Sequence, residues 1–344
     1  MASVSRFIKE PKTAAIVGCP FSGGQPKPGV DRGPIHLVEA GLVDQLKGLG
    51  WEVKFDGHHQ FEEISAQYAN DPDTGLVRDP PIGLLKNPRL VSSVTESVAQ
   101  AVGSHCAKGE LPVTLGGDHS LAMGTISGTL TTYPDAGVIW VDAHADINTV
   151  ETTDTGNIHG MPLAFLLGLT ACDAVPEAAN APASSHATHP FSWIPSPPLL
   201  TPSRLVYIGL RDVDGGEKAI LKKHGIKAFS MHEVDRYGIG KVVELAMEWL
   251  NKDYQGAHGQ RPIHLSFDVD AMDPTVAPST GTPVRGGLTF REGHYICEAV
   301  YETGSLVAFD LMEVNPSLAD AAAVQQTVNV GCSLVRAALG ETLL

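Results

Sequence analysis

Asp142, His144 and Asp146 stand at alternating positions in GVIWVDAHADINT, residues 137–149, directly after an unbroken apolar run. Three more clusters follow apolar runs in the same way: Asp118 and His119 in GGDHS, Asp268 and Asp270 in SFDVDAMDP, and Asp310 and Glu313 in LVAFDLMEV. Side chains of a strand point to one face at every second residue, so Asp142, His144 and Asp146 converge if the strand stays extended. Carboxylates crowded into a buried crevice repel one another and resist ionisation unless a cation neutralises them. His119, Asp142, His144, Asp146, Asp268 and Asp270 together offer two imidazoles and four carboxylates, too many for one tetrahedral zinc. With bridging carboxylates they suit two divalent ions, and the oxygen-rich set favours manganese. A pair of such ions ~3.5–4 Å apart can hold a shared water and make hydroxide available near neutrality.

Side chains of this kind need a frame that brings several strand ends together. Eight short apolar, β-branched runs supply it: TAAIVG from Thr13, WEVKFDG from Trp51, LPVTLGG from Leu111, AGVIWVD from Ala136, RLVYIGL from Arg204, IKAFSM from Ile226, PIHLSFDVD from Pro262 and LVAFDLMEV from Leu306. Segments such as NPRLVSSVTESVAQAVGSHCAKG lie between them, with apolar residues at three- and four-residue spacing, a polar start and a glycine stop. This alternation predicts βαβ units and a parallel sheet, whose ligands gather beyond the carboxyl ends of the strands. All four polar clusters fall at such ends.

The remaining composition narrows the class. Of 344 residues 43% are hydrophobic, ample for a sizeable core, and 24 basic against 39 acidic residues leave a formal charge of −15. No basic stripe is present to follow a nucleic acid or an anionic membrane. Cys19, Cys106, Cys172, Cys297 and Cys332 are scattered and odd in number, which predicts buried thiols in a reducing compartment rather than a disulfide framework. The start of the chain has no secretory pattern, and MPLAFLLGLTAC from Met161 is too short to span a bilayer and reads as a packed helix, so a cytoplasmic protein is expected. Two stretches, near residues 68–83 and 171–203, break the pattern and read as loop excursions from a single domain covering 1–344. His186 and His189 in the second read as solvated loop histidines.

These motifs, with YIGLRDVD, GNIHGMP, GTPVRGGLT, MEVNP and the glycine-rich PFSGGQPKPGVDRGP, resemble those of the ureohydrolases, most closely the arginases, over roughly residues 13–340. The resemblance implies a three-layer α/β/α fold with an eight-stranded, mainly parallel sheet, two manganese(II) ions, and hydrolysis of L-arginine to L-ornithine and urea by a metal-bridging hydroxide. It implies that His119, Asp142, Asp146 and Asp268 hold one ion and His144, Asp142, Asp268 and Asp270 the other. Glu313 would bind the guanidinium, Asp146 would pass a proton to the departing amine, and His159 would exchange protons with solvent. Asn148 and the Thr155 hydroxyl would meet the α-carboxylate, Asp214 and Glu217 the α-ammonium, and Thr153, Asn157 and Thr282 would line the site. Family members are commonly trimers or larger, so a homo-oligomer is expected.

Position 155 departs from the family, which usually has serine there; the threonine hydroxyl can still donate. Three other readings compete: an agmatinase or guanidino-acid hydrolase with the same centre, a one-zinc deacetylase of related fold, and a non-catalytic arginine-binding protein. The DINT, TGNIHG and RDVDGGE segments speak for arginine, a single zinc would leave several donors unused, and every ligand position is filled. His232, Asp235, Arg211 and Asp212 read as surface or packing pairs.

Overall fold

Each of the eight apolar runs becomes a strand of one sheet: β1 (Thr13–Cys19), β2 (Glu52–Lys54), β3 (Leu111–Gly116), β4 (Gly137–Val141), β5 (Leu205–Leu210), β6 (Lys227–Ser230), β7 (Ile263–Asp268) and β8 (Leu306–Met312). The computed structural model describes residues 5–75, 77–170, 190–256 and 258–342. Cys172, His186 and His189 lie outside them.

The spatial order is β2-β1-β3-β8-β7-β4-β5-β6, and every strand pairing is parallel. The strands whose ends carry the polar clusters, β3, β8, β7 and β4, are therefore four neighbours at the centre of the sheet.

Helices cover both faces. They are α1 (Gly33–Glu39), α2 (Leu42–Gly48), α3 (Glu62–Tyr68), α4 (Pro88–Lys108), α5 (Ala122–Thr132), α6 (Pro162–Leu166), α7 (Gly215–His224), α8 (Met231–Tyr237), α9 (Ile239–Asn251), α10 (Phe290–Glu302) and α11 (Ala321–Ala338). Period-two alternation sorts the core: Ile139 and Val141 of β4 pack on the side of α1, α2 and α8 to α11, while Val138 and Trp140 pack with α5 and α6 on the other. The long helix α4 follows Asn87, opens with Pro88, and stops at Gly109, whose φ of 80° closes the end in the left-handed region. It approaches α5 closely because Gly124 and Gly128 lie one turn apart. A Cβ at those positions would come within 2.3 Å of the Thr95 carbonyl oxygen and 2.5 Å of the Ala99 one.

Two expectations change in detail. MPLAFLLGLTAC gives only a buried five-residue helix, α6, because Gly168 follows at φ 64°. The excursion near 68–83 is anchored rather than merely solvated: buried Asp79 pairs with buried Arg89 and also accepts the main-chain N–H groups of Arg89 and Leu90 at the start of α4. Among the described residues no helix is long and apolar enough to cross a membrane. Cys19, Cys106, Cys297 and Cys332 are free and buried, and burial pushes the Cys332 thiol up to about 11 and that of Cys106 to about 12.

Candidate metal centre

Strand β4 ends at Val141, so Asp142, His144 and Asp146 do not converge through continued extension. The chain bends instead, and Asp146 takes a φ of 48°, in a left-handed region that non-glycine residues seldom occupy. Asp268 ends β7 and Asp270 lies in a 3₁₀ turn, Val269–Ala271, whose first N–H groups are partly satisfied because Asp268 accepts from the Asp270 N–H at 2.8 Å. His119 opens another 3₁₀ turn just beyond β3.

These bends bring five of the six donors together in two groups, His119, Asp142 and Asp268, and Asp142, His144 and Asp270, the ligand atoms within each lying no more than 4.8 Å apart, while Asp146 belongs to neither. Asp142 belongs to both. Nδ1 of His119 lies 3.0 Å from Asp268, 3.3 Å from Asp142 and 3.7 Å from Asp146, while Nδ1 of His144 lies 3.2 Å from Asp270 and 3.4 Å from Asp142. All four aspartates are buried. Burial, then the charges of Asp270 and Asp142, raise Asp268 well above the usual carboxylate range; burial and the Asp142 charge do the same to Asp146. For Asp142 burial also opposes ionisation, but hydrogen bonds and charges from His119 and His144 outweigh it and hold it low. Crowded carboxylates that push one another up, with imidazole nitrogens turned toward them, form a donor set that fits divalent cations.

Neighbouring groups fix the imidazoles and carboxylates. Nε2 of His119 lies 3.0 Å from the Ser266 hydroxyl, the His119 ring stacks on Trp140 at 3.9 Å, and the Trp140 indole N–H donates to Asp142 at 2.9 Å. Thr282 donates to Asp270 at 2.7 Å. Ser266 lies two residues before Asp268 on the same alternation, a signal that would have marked it; Trp140 stands likewise two before Asp142.

Glu313 sits beyond β8 at a φ of 63°, buried behind His159. Its Oε1 accepts the His119 main-chain N–H at 2.9 Å and lies 3.2 Å from Nδ1 of His159. Burial works against charge on His159, and Glu313 outweighs it, so the imidazole is held above its ordinary value. The His159 N–H donates to the Gly24 carbonyl, and Asp118 accepts from the Gly24 N–H, so the glycine-rich N-terminal loop backs the histidine. Burial and the neighbouring Glu313 push Asp118 up to about 6.

A cavity of about 210 Å³ opens above the donors. His144, Asp146, Asp268, His159, Gly160, Asn148, Asp212, Asp214, Glu217 and Thr282 line it. Asn148 donates to Asp214 at 2.7 Å, and Asp214 and Glu217 reciprocally cap α7. Burial pushes Glu217 up to about 7. Thr153, Thr155 and Asn157 are not among the lining residues: Thr153 accepts from the Gly156 N–H, Thr155 from that of Asn157, and Asn157 from Lys86. Asp212, read from sequence as a surface partner, does line the cavity, 3.8 Å from Nε2 of His144. His232 and Asp235 are exposed on α8, outside it.

A three-layer parallel α/β sheet with two histidine–aspartate groups joined by Asp142 at its central strand ends defines a metal-binding α/β protein. The arginase family model matches residues 12–340. The chain is 58% identical to an arginase of Glaciozyma antarctica over 344 residues, covering 99% of this chain and 92% of that one. It is 51% identical to an arginase of Neurospora crassa over 349 residues, covering 99% and 89%. A crystal structure of arginase from Bacillus subtilis superposes with a TM-score of 0.78 at 35% identity, covering 97% of this chain and 100% of that one. The chain belongs to the arginase family and is an enzyme.

Proposed function

We propose that the chain hydrolyses L-arginine to L-ornithine and urea with two manganese(II) ions, one held by His119, Asp142, Asp146 and Asp268, the other by His144, Asp142, Asp268 and Asp270. The observation that carries this reading is Asp142, a donor common to both ligand groups. When bound, such a pair of ions acidifies water and so supplies a nucleophile near neutral pH.

The chain's own residues do the rest. The Glu313 carboxyl group orients the substrate guanidinium, a poor electrophile whose positioning matters greatly. Asp146, which lines the cavity, hands a proton to the departing amine, and His159, partly open to the cavity and backed by Glu313, exchanges protons between the site and solvent. Asn148, Asp214 and Glu217 face the amino-acid end, with Thr282 beside them. Thr155, whose oxygen accepts the Asn157 N–H outside the cavity lining, keeps its hydroxyl proton to donate to the α-carboxylate, and Thr153 and Asn157 lie in the same segment. A site built around paired polar groups rejects a ligand lacking one of them, which disfavours agmatine.

Residues 1–344 act as one catalytic domain, a reading supported by the span of the family match. Assembly as a homo-oligomer, a trimer or larger, follows the same resemblance, and cytoplasmic residence agrees with four buried free thiols. Incubating the manganese-loaded protein with arginine or agmatine tests the substrate. Equal ornithine and urea from arginine, with agmatine turned over at least ~100-fold more slowly, supports the proposal; preference for agmatine contradicts it.

A further inference from the structure

We propose that Arg211 is a positioning residue for the metal position of Asp142, His144 and Asp270, acting through the loop after β7; this rests on the two-ion reading above. Arg211 follows β5 and does not line the cavity, yet its guanidinium gathers the carbonyls of the ligand loop. Nη2 donates to the Asp270 carbonyl at 2.6 Å and to that of Met272 at 3.2 Å, and Nη1 to that of Ala271 at 3.0 Å. Nε and Nη2 both donate to the Val284 carbonyl, at 3.1 and 2.8 Å, two residues beyond Thr282. The Arg211 main-chain N–H donates to the Ala143 carbonyl at 2.9 Å, between Asp142 and His144. One residue thus joins the chain at the ends of β4, β5 and β7.

The arrangement has a physical logic. The last carbonyls of a 3₁₀ turn have no partner within the turn, and a planar fork of five donors meets several of them at once. With its carbonyl held toward Arg211, Asp270 is left with its carboxylate aimed at Thr282, His144 and the Ala143 N–H. The acceptors are neutral carbonyls, so the cation stands beside the centre without consuming a ligand carboxylate. Gly287 keeps the space open: a Cβ there would lie 2.6 Å from Nη2 of Arg211. A flexible ammonium has neither the reach nor the planar geometry to replace the fork.

The test is manganese titration of wild type, Arg211→Lys and Arg211→Met by equilibrium dialysis, with metal-free melting and kcat and KM at saturating manganese. Wild type binds two ions per chain. Both variants bind the first as wild type does and the second about 10- to 100-fold more weakly, and saturating manganese restores most of kcat; if the Met variant fails to fold, the Lys variant carries the comparison. Two ions in wild type with an unchanged second affinity in a folded variant overturns the role of Arg211 alone. So does equal weakening of both ions alongside lower metal-free melting, the mark of general destabilisation. A wild type that takes up a single ion overturns the two-ion reading and this inference with it.

Discussion

Oε1 of Glu313 is shared: it accepts the His119 main-chain N–H at 2.9 Å and lies 3.2 Å from Nδ1 of His159. One carboxylate therefore couples the strand end that carries a proposed metal ligand to the proposed proton shuttle. Its left-handed backbone is local strain of the kind found where function, rather than stability, sets the conformation.

Glu313→Gln keeps the shape but removes the charge. A charge-assisted hydrogen bond is worth about 1.5–3 kcal/mol, so kcat/KM for arginine should fall roughly 10- to 150-fold with manganese content unchanged. Urea release across arginine concentrations checks this, and a value within twofold of wild type would count against guanidinium binding by Glu313.

His159→Asn removes the imidazole while preserving a polar side chain of similar reach. Proton-transfer residues commonly contribute about 10²–10⁴-fold, so kcat should fall by at least ~10²-fold with KM little changed. A variant whose KM rises while kcat holds would make His159 a binding group instead.

Glu217 gives a signed pH dependence. Burial raises it from 4.5 to about 7, so between those values the folded chain holds a proton that the unfolded chain has released. Stability from this group is present below pH ~4.5 and is lost as pH rises through ~7, roughly 3 kcal/mol in all. Melting of metal-free wild type and Glu217→Gln from pH 4.5 to 8 should show the wild type losing ground relative to the variant. A pH-independent difference would mean that the group ionises freely in the folded chain.

Asp79 and Arg89 are 5% and 1% exposed at their side chains, and Asp79 also caps the first turn of α4. Asp79→Ala removes the carboxylate that balances the buried Arg89 guanidinium, and two main-chain acceptor contacts with it, and should cost about 3–5 kcal/mol. Urea denaturation reads it directly; a loss under ~1 kcal/mol would show that the pair is dispensable.

The parallel frame was legible because its six inner strands, buried on both faces, are continuous apolar runs with polar residues where they stop, while the edge strands β2 and β6 are partly exposed. The five donors of the two observed groups were legible for the same reason. The route past the strand end was not: β4 stops at Val141, and Asp146 arrives through a left-handed turn that alternation does not encode. Arg211 shows the limit most clearly. Read locally it neighbours Asp212, whereas all but one of its guanidinium's acceptors are carbonyls 59 to 73 residues away, which carry no side-chain signal. Thr153, Thr155 and Asn157 turn their oxygens to nearby donors, a choice set by loop geometry rather than residue type.

The most direct test counts manganese in wild type and Asp142→Ala while following urea release from arginine in the same samples. Two ions per chain and steady urea production in wild type, with both lost together in the variant, is the predicted result. A variant that kept two ions and full turnover would contradict the claim that Asp142 is common to both metal positions, and the hydrolytic account with it.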